Sequence, residues 1–225
     1  MESAFNPSIK QLSFTELEAF LRQQREGGFR ARQIWHWLYE KWACDFEEMR
    51  NLPAALRQVL QEHFSAFSLK PIDRQKATDG TLKWLCQLSD GLSLETVLIP
   101  SGRRNTVCIS TQVGCQVRCV FCASGKKGLK RNLLSSEIVD QVLLACRHLQ
   151  EKVSNVVVMG MGEPLHNLEN LLPALELLSS AEAFGLGARS ITISTSGIVP
   201  GIRRLAELER PWNLAVSLHA CSDEQ

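Results

Sequence analysis

The stretch from Gly114 to Gly125, GCQVRCVFCASG, decides how the rest of the chain is interpreted. It places Cys115, Cys119 and Cys122 at the spacing C-x3-C-x2-C, and an aromatic residue directly precedes the third cysteine. Thiolates are soft ligands that select zinc, cuprous copper or iron–sulfur clusters. Because a [4Fe–4S] cluster ordinarily uses four cysteines, three in one loop would leave one iron without a protein ligand. An iron with an open coordination position could bind a further ligand and take part in a reaction.

The cysteine loop lies in a window that contains no acidic residue. The chain as a whole is nearly neutral, with 25 Lys and Arg against 24 Asp and Glu, so its net charge favours no partner. The window from Thr96 to Ser136 nevertheless holds seven basic residues, and such a region attracts phosphate groups. An alternative interpretation is that these charges only solvate a surface loop. The seven residues are Arg103, Arg104, Arg118, Lys126, Lys127, Lys130 and Arg131.

Composition narrows the class of protein. No apolar run reaches about 18 residues, so no membrane span is predicted. The first ten residues, MESAFNPSIK, lack the basic start and apolar core of a signal peptide. We therefore expect a cytoplasmic protein, in which eight cysteines are more typical of metal binding or catalysis than of disulfides.

Residues 1–66 are predicted to form a small helical domain. Ser13 and Glu16 fit a capping box at the start of the first helix. Helical spacing predicts a second helix from about Arg30 that includes Trp42, and a third from about Pro53.

Residues 67–104 are predicted to form a linker built on a β-hairpin, with strands at Thr81–Leu88 and Ser93–Ile99. Glu95 shares a face of the second strand with Val97 and Ile99. A carboxylate among apolar residues indicates either an edge strand or a partly desolvated acid suited to proton transfer.

Residues 105–225 alternate short strands with helices, which predicts an α/β fold, a partial (β/α) barrel of about four strands. Each strand ends in an unusual loop. Because active sites of such folds lie at the carboxyl ends of the strands, we expect these loops to converge on one rim. The loops are the cysteine loop, GMGEP at Gly160–Pro164, STSG at Ser194–Gly197 and SLHA at Ser217–Ala220.

The cysteine spacing after the first strand of a β/α series resembles the radical S-adenosylmethionine (SAM) superfamily. Five longer strings extend the comparison: LETVLIP, RNTVCISTQVGCQVRCVFCASGKKGLKRNL, GMGEPLHN, ITISTSGIVP and SLHA. Together they resemble the dual-specificity RlmN-type adenine methyltransferases of 23S rRNA and tRNA.

The resemblance implies a role for each matching residue. Cys115, Cys119 and Cys122 would hold the [4Fe–4S] cluster, and SAM would bind its open iron. Glu95 would be the proton acceptor, and Cys108 would be the thiol that resolves a covalent enzyme–RNA adduct. The basic segment Lys126–Asn132 would lie near RNA phosphates. The residues assigned to SAM are Gly162, Glu163, Ser194, Ser217, Leu218 and His219.

The mechanism implied by the resemblance uses two molecules of SAM. One methylates a cysteine near the C-terminus, and the other is cleaved to a radical that activates this methyl group. The carbon radical then adds to carbon 2 of an unstacked adenine. An electron donor such as flavodoxin would reduce the cluster, and we expect a monomer.

The sequence departs from the family pattern at its end. We expect a chain truncated after about four strands, because Ser222 to Glu224 begin a helix that the sequence does not continue. The methyl-carrying cysteine of the family has no counterpart, and Cys221 stands where the family has none. We therefore expect this chain alone to be inactive.

Two other functions compete with this assignment. A zinc-binding RNA module without catalysis could use Cys108 as a fourth thiolate. The related resistance-type enzymes methylate carbon 8 of adenine instead of carbon 2.

Overall fold

The structure, a computed structural model, describes residues 6–219. The predicted helix start at Ser222–Glu224, together with Ala220 and Cys221, lies outside these residues. The helices are α1 (Phe14–Gln23), α2 (Phe29–Tyr39), α3 (Ala54–His63), α4 (Ser135–Leu149), α5 (Leu168–Ser179) and α6 (Val199–Glu207). The strands are β1 (Lys70–Lys76), β2 (Leu82–Gln87), β3 (Ser93–Ser101), β4 (Arg104–Cys108), β5 (Gln112–Val113), β6 (Arg131–Asn132), β7 (Asn155–Val158), β8 (Ile191–Thr195) and β9 (Asn213–Val216).

The three predicted N-terminal helices are present. The capping box at α1 forms as expected, since Glu16 N–H donates to Ser13 Oγ at 3.2 Å and Ser13 N–H donates to Glu16 Oε2 at 2.7 Å. Trp42 is not on the second helix, which ends at Tyr39. The backbone at Trp42 has left-handed φ (+55°), so the chain has already turned away from the helix there.

One seven-stranded sheet runs through the rest of the chain, in the order β1-β2-β3-β4-β7-β8-β9. The first four strands pair antiparallel, and β4, β7, β8 and β9 pair parallel. The predicted hairpin is β2 and β3, and β1 is a strand that the sequence did not predict. Within the described residues the sheet does not close, which confirms the predicted partial barrel.

Helices cover one face of this sheet. A row of buried residues crosses that face, namely Leu98, Val107, Val156 and Ile191, paired strand to strand. Helix α4 packs behind them and is buried on nearly every side. Residues of the N-terminal helical segment contact its other side. Lys10 of that segment forms a fully buried ion pair with Asp140 of α4 at 2.7 Å.

The other face carries no helix within residues 6–219, and we call it the open face. Its central row, defined by strand register, is Lys83, Val97, Cys108, Val157 and Thr192. By the two-residue period of a strand, Glu95 and Ser194 lie on the same face. No helix within residues 6–219 combines the length and apolar character needed to cross a membrane.

Candidate functional site

The cysteine loop is folded tightly back on itself. Gly114 has φ of +78°, and a Cβ atom there would lie 2.0 Å from the carbonyl oxygen of Gly128. A Cβ atom on the buried Gly125 would lie 3.0 Å from Arg118 Cα. Only glycine permits these backbone approaches, so the loop shape depends on them.

Cys115 has backbone donors aimed at its sulfur. Burial raises the pKa of its thiol above the usual value, and hydrogen bonds from the N–H groups of Val117 and Arg118 offset only part of this rise. Arg118 has left-handed φ (+55°), an uncommon conformation for a residue with a side chain.

The chemistry of the loop fits an iron–sulfur cluster better than a single metal ion. Cys115, Cys119 and Cys122 are all free and partly buried. No three His, Cys, Asp or Glu side chains in residues 6–219 converge so as to hold one metal ion. A cluster does not require such convergence, because each thiolate binds a different iron. Cys108 is instead on the open face, where its sulfur accepts a hydrogen bond from the Met159 N–H. The zinc alternative that used Cys108 as a fourth ligand therefore gains no support.

Glu163 of the GMGEP loop ties two strand ends together. Its buried carboxylate accepts hydrogen bonds from Thr195 Oγ1 at 2.7 Å, from Ser196 N–H and Oγ at 2.9 Å each, and from Leu165 N–H at 3.1 Å. A carboxylate has about four acceptor sites, so this one is saturated by the protein. Of the predicted contacts to SAM at this motif, those through the backbone of Gly162 and Glu163 are compatible with this arrangement.

The glycines of GMGEP bring that loop close to the segment that follows β4. Gly162 has φ of +106°, and a Cβ there would lie 2.6 Å from Gln112 Cβ. Gln112 Oε1 also accepts the Glu163 N–H at 2.9 Å. The GMGEP turn thus lies directly against the residues that lead into the cysteine loop.

The STSG and SLHA segments meet at the same rim, as predicted. Ser194 Oγ and Ser217 Oγ are 3.3 Å apart. The His219 ring packs edge to face against Phe121 of the cysteine loop, with ring centroids 4.6 Å apart. Leu218 is largely exposed beside them. The rim therefore brings the cysteine loop and the ends of β8 and β9 together.

Glu95 lies on an interior strand of the sheet. β3 lies between β2 and β4, so the edge-strand interpretation is wrong. The Glu95 side chain is 44% exposed, hence partly buried, and pairs with Lys83 Nζ at 3.0 Å. Cys108 shares the open face, one strand away and diagonal to Glu95. Burial raises the pKa of the Cys108 thiol, and the hydrogen bond from Met159 N–H lowers it in part.

The basic residues around the loop divide into two groups. Arg131 is paired internally with Asp90 and Glu137, so its guanidinium group is already neutralised by two carboxylates. The others are exposed, and none has an ion pair with an acidic residue in the described part of the chain. This second group is Arg103, Arg104, Arg118, Lys126, Lys127 and Lys130.

Residues 109–225, more than half of the chain, match the family model described as the Radical SAM superfamily. The chain belongs to the radical SAM superfamily. Residues 8–66 match a second model, described as the ribosomal RNA large subunit methyltransferase N-terminal domain. Membership of the superfamily implies a [4Fe–4S] cluster and SAM as cofactors, and the cysteine loop supplies three thiolates for such a cluster, which leaves one iron without a protein ligand.

Curated relatives resemble nearly the whole chain. A protein of Halalkalibacterium halodurans named "Probable dual-specificity RNA methyltransferase RlmN" is 48% identical over 97% of this chain and 61% of its own length. A Staphylococcus aureus protein of the same name is 44% identical over 96% of this chain and 60% of its own length. The chain therefore spans about three fifths of the length of these relatives.

A solved structure has the same fold. It is a radical SAM methyltransferase from Sphaerobacter thermophilus, which superimposes with a TM-score of 0.93 at 43% identity. The match covers 97% of this chain and 65% of that one.

Proposed function

We propose that this chain is part of a radical SAM RNA methyltransferase that methylates carbon 2 of an adenine in 23S rRNA and in tRNA. One observation carries the proposal: the cysteine loop meets the ends of β8 and β9 at one rim, through the Phe121–His219 and Ser194–Ser217 contacts. The relatives described above are named as dual-specificity RNA methyltransferases, and these names support RNA as the substrate.

Cys115, Cys119 and Cys122 would hold the cluster through their thiolates. With SAM bound, the cluster would supply the reducing electron for the radical chemistry by which a methyl group reaches an unactivated carbon of adenine. The chain's own residues contribute to that site: the N–H groups of Val117 and Arg118 offset part of the rise in the Cys115 pKa that burial causes. Small polar and backbone groups at the rim leave room for a zwitterionic ligand such as SAM. We assign these contacts to Gly162, Glu163, Ser194, Ser217, Leu218 and His219.

Glu95 and Cys108 would act on the RNA. Both lie on the open face, where an unstacked adenine can approach them without displacing packed core. Glu95 would accept a proton from the adenine, and Cys108 would resolve the covalent adduct through its sulfur. The exposed basic residues beside the loop would contact RNA phosphates, which position the nucleic acid without reading its sequence.

The cellular setting follows from this chemistry. The cluster needs a one-electron donor, and a flavodoxin is the kind of protein that we propose for this role. We further propose that the enzyme acts in the cytoplasm, where its RNA substrates are found, and that it is a monomer.

Mass spectrometry of digested 23S rRNA and tRNA tests the activity. We compare cells that carry the complete gene encoding this chain with cells that lack it. The proposal predicts 2-methyladenosine only when the gene is present, and its loss in the Glu95→Gln and Cys108→Ala variants. Finding 8-methyladenosine instead would assign the enzyme to the alternative regiochemistry and contradict the proposal.

A further inference from the structure

We propose that Arg131 is a positioning residue that locks the base of the cysteine loop to the β2–β3 hairpin and to the start of α4. The lock would keep the cluster-binding thiols in a fixed place relative to Glu95. The functional part of this inference rests on the proposed function. The lock itself rests only on the contacts of the Arg131 side chain.

The guanidinium group of Arg131 bridges two carboxylates from different elements. Its Nη1 and Nη2 donate to the two oxygens of Glu137, each at 2.8 Å, and its Nε donates to Asp90 Oδ2. Two parallel hydrogen bonds to one carboxylate are the strong form of this interaction. The Glu137 contact, together with the Asp90 contact, raises the pKa of Arg131.

The Glu137 carboxylate of this bridge is almost completely buried from solvent. The Glu137 side chain is 4% exposed, and its Oε2 also accepts the N–H of Leu134 at 2.8 Å. Without Arg131, a buried carboxylate would remain at the start of α4 with no cation. Uncompensated buried charge is strongly unfavourable, so the segment would have to move to let water in.

The bridge acts on the loop because Arg131 forms part of its base. Arg131 pairs with Val113 in the short antiparallel ladder of β5 and β6, and Lys130 N–H donates to Val113 O at 2.8 Å. The cysteine loop is part of residues 114–130, the segment that connects these two strands. Fixing Arg131 therefore fixes both of its ends.

The other carboxylate reaches the hairpin that carries Glu95. Asp90 lies in the turn between β2 and β3, where its Oδ1 accepts the N–H of Leu92 at 3.0 Å. β3 begins at Ser93, three residues further on, and carries Glu95. One guanidinium thus links the cysteine loop with the strand of the candidate proton acceptor.

Endoproteinase Lys-C tests the lock without any need for iron. The exposed Lys126, Lys127 and Lys130 report opening of the loop, and the lysines elsewhere report global unfolding. We compare the wild-type chain with Arg131→Met and Asp90→Asn. The control is Arg147→Met, since Arg147 also forms an ion pair with a glutamate, Glu48, at 2.7 Å, but this pair is more exposed and lies away from the loop.

We expect Arg131→Met to raise cleavage at the three loop lysines about tenfold, because charge-assisted hydrogen bonds close the loop. Asp90→Asn, which leaves the buried pair intact, should raise it about twofold to threefold. Arg147→Met should leave loop cleavage unchanged. If Arg131→Met is cleaved rapidly at every lysine, this variant has unfolded and does not test the lock. The rate of cleavage at the loop lysines in Asp90→Asn, compared with wild type, then decides whether the lock exists. Loop cleavage equal to wild type in Arg131→Met, or in Asp90→Asn when the first variant unfolds, would overturn the inference.

Anaerobic reconstitution with iron and sulfide tests the functional consequence separately. We expect Arg131→Met to bind at least about threefold less iron per chain than Arg147→Met, and to lose the change in the reduced cluster's EPR spectrum on addition of SAM. Equal iron content and equal spectra would overturn the link to the cluster. If the wild-type chain itself takes up no iron, the proposed function fails, while the proteolysis result still decides whether the lock exists.

Discussion

Lys83 Nζ lies 3.0 Å from Glu95 Oε1 on the open face of the sheet. Lys83 and Cys108 are the cross-strand partners of Val97 on its two sides, and Glu95 is two residues along the same strand. A cation, a carboxylate and a thiol thus surround one valine. The ion pair holds the Glu95 side chain in one place on a surface that is otherwise open to solvent.

Replacing Lys83 should therefore slow the reaction of the complete enzyme. We expect Lys83→Met to lower kcat about tenfold, less than the loss of about a hundredfold or more expected when a general base is removed. The stability should change by less than about 1 kcal/mol, because both side chains are half exposed. Lys83→Arg should retain most of the activity. Methylation kinetics with urea unfolding measure both effects, with Lys76→Met, an exposed residue of β1, as the control. A kcat for Lys83→Met equal to wild type would show that the ion pair has no role.

A methyl group at Gly114 should disrupt the cysteine loop. In Gly114→Ala the new Cβ would lie 2.0 Å from a backbone oxygen, which cannot move aside as a side chain could. The matched control is Gly102→Ala, which also has positive φ (+59°) but no neighbour within 4 Å. Both variants carry the left-handed cost of about 1 kcal/mol. We expect only Gly114→Ala to lose most of its iron on reconstitution, and iron uptake equal to that of Gly102→Ala would refute this.

Glu163 should contribute more to stability than an ordinary acid. Glu163→Gln leaves one acceptor oxygen for four donors, so part of the link between the GMGEP loop and β8 is lost. We expect the free energy of unfolding of Glu163→Gln, measured in urea, to be about 3 kcal/mol lower than that of wild type, because hydrogen bonds to a charged group are lost. Glu182→Gln, at an exposed position, should be neutral. If the two variants unfold alike, the four hydrogen bonds do not hold the rim together.

The buried thiols predict a loss of stability at alkaline pH. Burial raises the pKa of Cys86 and of Cys146 from 9.0 to about 12 each. Below pH 9 both thiols are protonated in the folded and unfolded chain, so their contribution is fully present. Between these values the unfolded chain has lost the protons that the folded chain keeps. Each thiol should then lower the free energy of unfolding by about 1.4 kcal/mol per pH unit.

Urea unfolding between about pH 8 and pH 11 measures this slope. Burial also raises the pKa of Cys44, to about 11, so this thiol adds to the slope. Cys146→Ala should reduce the slope by about 1.4 kcal/mol per pH unit, the contribution of one thiol, whereas Cys122→Ala leaves the Cys86 and Cys146 thiols in place and should not change it. A wild-type free energy of unfolding that stays constant up to pH 11 would contradict the prediction.

Much of the fold could be predicted from local patterns. The capping box at Ser13 and the Asp90-Gly91 turn are decided by neighbouring residues, and both occur as expected. β1 was missed because its sequence, KPIDRQK, is mostly polar, shows no alternation of apolar and polar residues, and is exposed at every position. It forms because β2 offers an edge to pair with, and this is a tertiary effect.

The sequence predicted which residues belong to the site better than it predicted the contacts that they make. Loops at the carboxyl ends of parallel strands converge, and this rule alone was sufficient to predict that Ser194, Ser217 and His219 lie close together. The partners of Glu95, Glu163 and Arg131 depend on register and on distant side chains, which spacing along the chain does not reveal. Lys83 was within reach of prediction, since the hairpin register set by the Asp90-Gly91 turn places it on the same face as Glu95.

Anaerobic reconstitution of residues 1–225 with iron and sulfide tests the central claim most directly. The chain should take up about four irons and give the visible absorption of a thiolate-bound cluster. Replacing Cys115, Cys119 or Cys122 by serine should remove most of it, while Cys108→Ser should leave it intact. Uptake of zinc alone, or iron binding that depends on Cys108 as a fourth ligand, would contradict the account.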